Sequence, residues 1–392
     1  MRRRALCEAA VVSPLLLGGC GATGDGSVPV APLTRGSRRA ASPAPRGTPV
    51  SDERFARLTR GINVSHWFAQ AEISVHRFKT WITAEDVRRI ADLDFRHVRL
   101  PLDPLVLFNL AAPERLNTTY LSFFDAALDM ILDEGLAVII DLHPDDGFKR
   151  RLATNSEFAG VVARFWRALA AHLSRRDPEF VFLEAINEPQ ITDPFRWNTI
   201  QQQWLAAMRE GAPKHTLIAT GYRYSSIDDL QGVRPVLDPN VVYNFHFYEP
   251  HTFTHQGATW GAAHWRYLRD LPYPSSPGAV AAVLPSIDPR GRSVAEQYGR
   301  ERWNGARIEE RILQAVRWAQ RRSVRLTCNE FGVYRQAAPV EGRLTWIHDV
   351  RAALETYGIG WAMWDYAGGF GLVVTRDGRR VVDEGTLHAL GL

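Results

Sequence analysis

Two glutamates stand where chemistry could be done. Glu188 ends the run FVFLEAINEPQ (residues 180–190), and Glu330 comes near the end of VRLTCNEFG (324–332). Each follows branched and aromatic residues that read as a buried strand, and Pro189 cannot extend a ladder. Both carboxylates therefore fall where strands stop. Facing one cleft, two carboxylates can divide the work of cleaving a glycosidic bond: one protonates the leaving oxygen, the other attacks or activates water. Other apolar runs end in groups able to hydrogen-bond or stack. These are Asn63, Ser65 and His66; Arg99; Asp141 and His143; Asn187; His246 and Tyr248; and Trp364 with Asp365.

The elements that must position these residues alternate regularly. Strand-like runs are TRGINVS, FRHVRLPLD, LAVIIDLHP, FVFLEAINEP, TLIATGY, VVYNFHFYEP, VRLTCNEFG and GIGWAMWDYAGGFG. Helical patterns separate most of them. TAEDVRRIADLD opens with Thr83 as N-cap and acids in its first turn, and TTYLSFFDAALDMILDEG stops at Gly135. SEFAGVVARFWRALAAHLSRR, WNTIQQQWLAAMREG, IEERILQAVRWAQRRS and RLTWIHDVRAALETYG carry apolar residues at helical spacing. Strands alternating with helices at this length imply an α/β fold, a single (β/α)8 (TIM) barrel with its chemistry at the C-terminal strand ends. A doubly wound open sheet is the alternative, and no Gly-rich phosphate turn supports it.

On these residues the chain resembles glycoside hydrolase family 5, the cellulase family of the retaining (β/α)8 clan, over residues 58 to 370. The resemblance implies that Glu188 of AINEP is the acid/base and Glu330 of CNEFG the nucleophile. It further implies that Asn187 binds the sugar 2-hydroxyl, that Arg99 of HVRLP steadies the nucleophile, and that Trp364 of WAMWDY is a sugar platform. His143 of DLHP and His246 and Tyr248 of FHFY complete the substrate-binding set. The implied activity is a retaining hydrolysis of β-1,4-glucan. The same mechanism on β-mannan, β-1,3-glucan or a glycolipid is the alternative, and a surface polysaccharide-binding lipoprotein without catalysis is the rival of another class.

Electrostatics would separate the two roles. Arg99 and the Tyr248 hydroxyl would hold Glu330 as the carboxylate, whereas Glu188, partly desolvated and close to that charge, is expected to have its pKa raised. His143 and His246 have a second reading as satisfied core histidines, and DLH with FHF as a metal site. Metal-dependent barrel hydrolases usually show two His flanking one residue on the first strand, where this chain has only VSHW. No metal or cofactor is called for. Glu184 and Asp141, deeper on their strands, read as structural hydrogen-bonders, and Cys328 as core packing.

The remainder of the chain bounds the setting. Hydrophobic residues make up 45% and charged residues 23% of 392, enough for one large core. The basic residues are Arg except Lys79, Lys149 and Lys214, and no basic block points to nucleic acid. MRRRALCEAAVVSPLLLGGC reads as an export signal too short to span a bilayer, residues 1–19 being a lipoprotein-type signal peptide and Cys20 of LGGC the lipidated residue. The chain is then exported as a monomer, either anchored to the cell envelope, periplasmic or surface, by that lipid alone or, if the segment is a plain secretory peptide, secreted. Residues 20–50, rich in Gly, Ser, Ala and Pro, read as a tether, and 51–392 as the catalytic domain. A long insertion after strand 6, 249 to about 305, is dense in aromatics, His and Pro. His251, His255, Trp260 and Trp265 there either face sugars or form the insertion's own small core.

Overall fold

The structure is a computed structural model and describes residues 48–392; the signal peptide, Cys20 and nearly all of the tether lie outside the described residues. Eight parallel strands close into a barrel in chain order. They are β1 (Arg60–Asn63), β2 (His97–Leu102), β3 (Ala137–Leu142), β4 (Val181–Glu184), β5 (Thr216–Thr220), β6 (Val241–Phe247), β7 (Arg325–Phe331) and β8 (Gly360–Met363). β8 closes on β1 with Met363 beside Ile62. Every predicted strand is present, and β2 through β6 are buried along their whole length. That is why these runs show no polar alternation: both faces are covered.

The pleat nevertheless sorts the residues by face. One set, Val138, Ile140, Val181, Leu183, Leu217, Val241 and Tyr243, packs outward against the helices. The intervening Ala137, Ile139, Phe182, Ile218 and Val242 fill the lower barrel with Val50, Phe55 and Leu58 of the N-terminal segment. Two residues further along the same faces the interior turns polar: Asn63, Arg99, Asp141, Glu184, Thr220, Asn244 and Asn329. Greasy below and charged above, the barrel delivers its polar groups to one mouth.

Helix chemistry follows the expected signals. Thr83 caps Ala84–Asp92 in a reciprocal capping box with Asp86, and Gly135 takes a positive φ of 73° just past Leu121–Asp133. The longest, Ser156–Leu173 and Pro194–Gly211, carry Trp166, Trp197 and Trp204 inward. Among the described residues no helix is long and apolar enough to cross a membrane.

Two segments depart from a plain barrel. The insertion after β6 is structured, with helices His251–Thr254, Pro277–Val283 and Pro289–Glu301. It has its own core, in which Phe253 packs on Tyr273 and Tyr298, and it leans on the loop after β7, where the Tyr334 amide donates to the Thr254 carbonyl at 2.8 Å. Past β8 lies an antiparallel hairpin, β9 (Val373–Arg376) with β10 (Arg379–Val382), turning through Asp377 and Gly378 at φ 49° and 74°. Two positive φ values in a two-residue loop make the Asp-Gly turn that fits the strand twist, a signal present in VVTRDGRRVV and missed in the strand reading.

The barrel's lower layer has little slack. A Cβ built on Gly61 would lie 2.1 Å from His97 Nε2, because the imidazole fills the space a side chain would need. His97 is buried, its Nδ1 donates to the Arg57 carbonyl at 3.1 Å, and burial pushes its pKa down to about 3. Gly61→Ala should therefore cost roughly 1–3 kcal/mol of unfolding free energy in urea, with part of the loss recovered in the Gly61→Ala, His97→Ala double variant. A single variant as stable as the parent would mean that the ring moves aside freely.

Candidate active site

Arg99 is fully buried and gathers the mouth of the barrel around itself. Its Nε and Nη2 fork onto Glu184 at 2.9 and 2.8 Å, and Nη2 also reaches Asp141 at 2.9 Å and the Asn187 Oδ1 at 3.1 Å. Nη1 donates to Asn63 Oδ1 at 2.9 Å and to Glu330 Oε1 at 2.7 Å. One cation thus meets three carboxylates. Burial alone would lower the guanidinium's pKa, but Asp141, Glu184 and Glu330 together carry it well above its ordinary value. In two of these carboxylates burial wins over the opposite charge. Burial pushes Asp141 up to about 7 against the pull of Arg99, and raises Glu184 likewise. Asp141 and Glu184 are the structural hydrogen-bonders expected of them.

A relay runs from this centre to Asn187. His143 Nδ1 lies 2.7 Å from Asp141 Oδ2, and its Nε2 lies 3.3 Å from Asn187 Nδ2. Burial depresses His143 to about 3, so the ring is neutral. The network then assigns the tautomer: Nδ1–H donates to Asp141, and Nε2 accepts from the Asn187 amide. With its oxygen on Arg99, Asn187 keeps one N–H for a ligand.

The two glutamates reach the mouth through irregular backbone. Glu188 follows β4 with φ 44°, a left-handed conformation uncommon outside glycine. Glu330 sits on β7 at a bulge: Phe245 of β6 pairs with Cys328 and His246 with Glu330, leaving Asn329 as an extra residue. Without that extra residue Asn329 and Glu330 would point to opposite faces; with it both contribute inside, Asn329 Nδ2 donating to Glu184 at 2.7 Å.

Their surroundings differ. Glu330, 6% exposed, accepts from Arg99 and, at 2.9 Å, from the Tyr248 hydroxyl. Burial and the two glutamates hold that phenol well above its ordinary pKa, so it stays a donor. Glu188, 24% exposed, accepts from His246 Nδ1 at 2.9 Å, and the same nitrogen lies 3.6 Å from Glu330. Here the expected pKa is corrected. Burial raises Glu188, but the hydrogen bond and charge of His246, with Lys149 and His143, outweigh it and the net shift is downward. His246 moves the other way: burial would lower it, but Glu330 and Glu188 raise it. The negative neighbour expected from sequence is present, but the His246 imidazole stands between the two carboxylates and reverses its effect. One oxygen of each glutamate and a ring nitrogen of His246 lie within 4.8 Å of one another. A cation could be held by such a trio, but the Arg99 guanidinium on Glu330 would repel it.

A cleft of about 1540 Å³ crosses this mouth and is lined by His66, His143, Asn187, Glu188, His246, Tyr248, Glu330 and Trp364, among others. Trp364 lies nearly parallel to His143, 5.7 Å between centroids. The insertion forms one wall. His251, His255, Trp260 and Trp265 all line the cleft, and His255 and Trp265 also pack on each other at 4.7 Å. Residues not singled out from sequence also line the cleft, notably Asp146, Lys149, Gln190 and Tyr224. Nothing in their local pattern marked them, since loops and a first helical turn read as solvated surface.

Residues 60–369 match the family model described as Cellulase (glycosyl hydrolase family 5). Endoglucanase C of Acetivibrio thermocellus is 31% identical over 314 residues, 78% of this chain and 90% of that protein. Endoglucanase 3 of Fibrobacter succinogenes is 29% identical over 364 residues, 88% of this chain but 54% of the relative's own length. A solved structure of Thermotoga maritima Cel5A, a mutant form in complex with cellobiose, superimposes with a TM-score of 0.70 at 25% identity, covering 88% of this chain and 99% of that one.

Removing Arg99 should strand its partners. Arg99→Met leaves Asp141, Glu184 and Glu330 buried without their cation, an expected loss of roughly 3–5 kcal/mol in urea unfolding at pH 7. Carboxyls whose folded pKa is raised, as Asp141 and Glu184 already are, stabilise the fold when protonated and lose that stability as pH rises. The deficit of the variant relative to the parent should therefore shrink at pH 5. A deficit that grows on acidification would mean the carboxylates are held by something other than Arg99.

Proposed function

The chain belongs to glycoside hydrolase family 5, and from that premise we propose that it hydrolyses β-1,4-glucan with retention, Glu188 serving as acid/base and Glu330 as nucleophile. The observation that carries the assignment is the pair itself: oxygens of the two carboxylates lie within 4.8 Å, with unlike partners. Retaining pairs stand roughly 5–5.5 Å apart, and inverting pairs roughly 6.5–9.5 Å to admit a water. Glu330, clamped by Arg99 and Tyr248, has one orientation and a stabilised charge, which suits attack on an anomeric carbon. Glu188 is the more exposed and faces a proton carrier. Relatives named as endoglucanases support the choice of substrate. The cleft, open and running past both glutamates, suits a chain cut internally, with Trp364 as the platform under the ring at the cleavage point.

Glu188 gives a proton to the glycosidic oxygen as Glu330 attacks, and the departing sugar leaves as an alcohol. The glycosyl ester on Glu330 carries no charge, so the affinity of Glu188 for a proton falls and it can take one from the incoming water. Asn187, oriented through His143, offers its remaining N–H to the 2-hydroxyl. Export and a lipid on Cys20, which lies outside the described residues, belong to the same reading.

The assignment is tested by the two alanine variants on an activated aryl β-glycoside with azide. Glu188→Ala keeps the nucleophile, so azide should open the glycosyl-enzyme to a β-glycosyl azide; Glu330→Ala should give the α-anomer by direct attack from the vacated side. The anomers appearing the other way round would exchange the two labels.

A second expectation concerns where the proton waits. The raised imidazole and lowered carboxyl make Glu188 and His246 a pair that stores one proton between Glu188 and Glu330. Protonation of that pair is needed for the first step, so the alkaline limb of kcat/KM reports it. In His246→Gln the raised group is gone and Glu188 must hold the proton alone, so the limb should move to lower pH. A pH–rate profile with an unmoved limb would show that His246 takes no part in the proton's storage.

A further inference from the structure

Beyond Glu188 the cleft wall contains a cation with nothing to hold. Lys149 lies on the helix Asp146–Thr154, is 5% exposed and lines the cleft. Its ammonium makes no hydrogen bond or ion pair to any described residue, although nearly every other buried charge in the barrel is paired. The helix is fixed beside the loop that follows Glu188, where Gln190 Nε2 donates to Asp146 Oδ1 at 2.9 Å. Arg223 and Arg311, the other basic residues of the lining, are occupied by Asp229 and by Glu249 with Asp228.

Stability alone argues against a lysine here. The stem is buried while the ammonium opens on the cleft with no protein acceptor, and a positive charge in the first turn of a helix opposes the helix dipole. The chain has only three lysines and spends one at this point. Residues that break such rules collect where a ligand supplies the missing partner.

We propose that Lys149 is the donor that holds the departing sugar against Glu188, its ammonium hydrogen-bonded to a hydroxyl oxygen of the sugar on the leaving side of the scissile bond. This rests on the reading of Glu188 as the acid/base, which fixes the side on which the leaving oxygen must lie. Lys149 follows β3 and Glu188 follows β4, adjacent strands, whereas Glu330 and the insertion lie across the mouth. A sugar whose glycosidic oxygen touches Glu188 therefore passes along the wall that Lys149 forms. The charge also bears on Glu188, Asp141 and His143, favouring the deprotonated form of each. Lysine suits this task better than arginine. A point charge on a flexible stem can follow a hydroxyl, whereas a planar fork is built for carboxylates and phosphates.

The test compares substrates that differ only beyond the scissile bond. Cellotetraose places a sugar on the leaving side; 2,4-dinitrophenyl β-cellobioside places an activated aryl group there. In Lys149→Met the ratio of kcat/KM for the first to that for the second should fall ten- to a hundredfold, the range of one hydrogen bond to a charged donor. Lys149→Arg should recover part of the ratio, and the melting temperature of Lys149→Met should equal or exceed that of the parent. Parallel losses on both substrates, an unchanged ratio, or a Met variant that melts lower or fails to fold would each make Lys149 structural or idle and overturn the proposal. A parent protein that turns over neither substrate would instead bring down the hydrolase reading on which it stands.

Discussion

The pairing of Arg99 with Glu184 is the interaction on which the mouth of the barrel depends. Its two-pronged geometry fixes the guanidinium in one plane, and the remaining nitrogens then have no choice of direction. From that plane the orientation of Glu330, the amide of Asn187 and, through His143, the edge of the sugar site all follow. Burying one cation among three acids is not a favourable trade in stability. It is rational as preorganisation: the groups that meet substrate are already in place, and little reorientation is left for the moment of reaction.

Much of this was legible in the sequence. Strand runs such as AVIIDL are apolar on both faces, a pattern only a covered parallel sheet produces, and the polar residue that ends each run marks the mouth. Arg99, Asn187, Glu188 and Glu330 were found on that basis, and the structure brings all four together. The hairpin Val373–Val382 was missed although its Asp-Gly turn was visible, because attention to the barrel period left no place for an antiparallel pair. The sign of the Glu188 shift could not be read at all. It depends on a ring nitrogen of His246 lying 2.9 Å away on a strand 58 residues later, a distance that spacing along the chain does not encode. Lys149 was invisible for a related reason: a lysine in an amphipathic turn reads as solvated, and only burial without a partner distinguishes it.

The placement of the two glutamates has a consequence for anyone who would build such a site anew. β4 delivers Glu188 by stopping and turning through a left-handed residue; β7 delivers Glu330 by taking in an odd residue that shifts its phase against β6. Neither acid stands on regular backbone. Designed barrels succeed by removing such departures, since unstrained strands with matched lengths fold most surely. A regular (β/α)8 scaffold given these side chains at equivalent strand positions would therefore own the right residues and aim them at different points. The irregularities are part of the transferable unit, and a graft that omits Asn329 or straightens the chain at Glu188 copies the letters of the site without its coordinates.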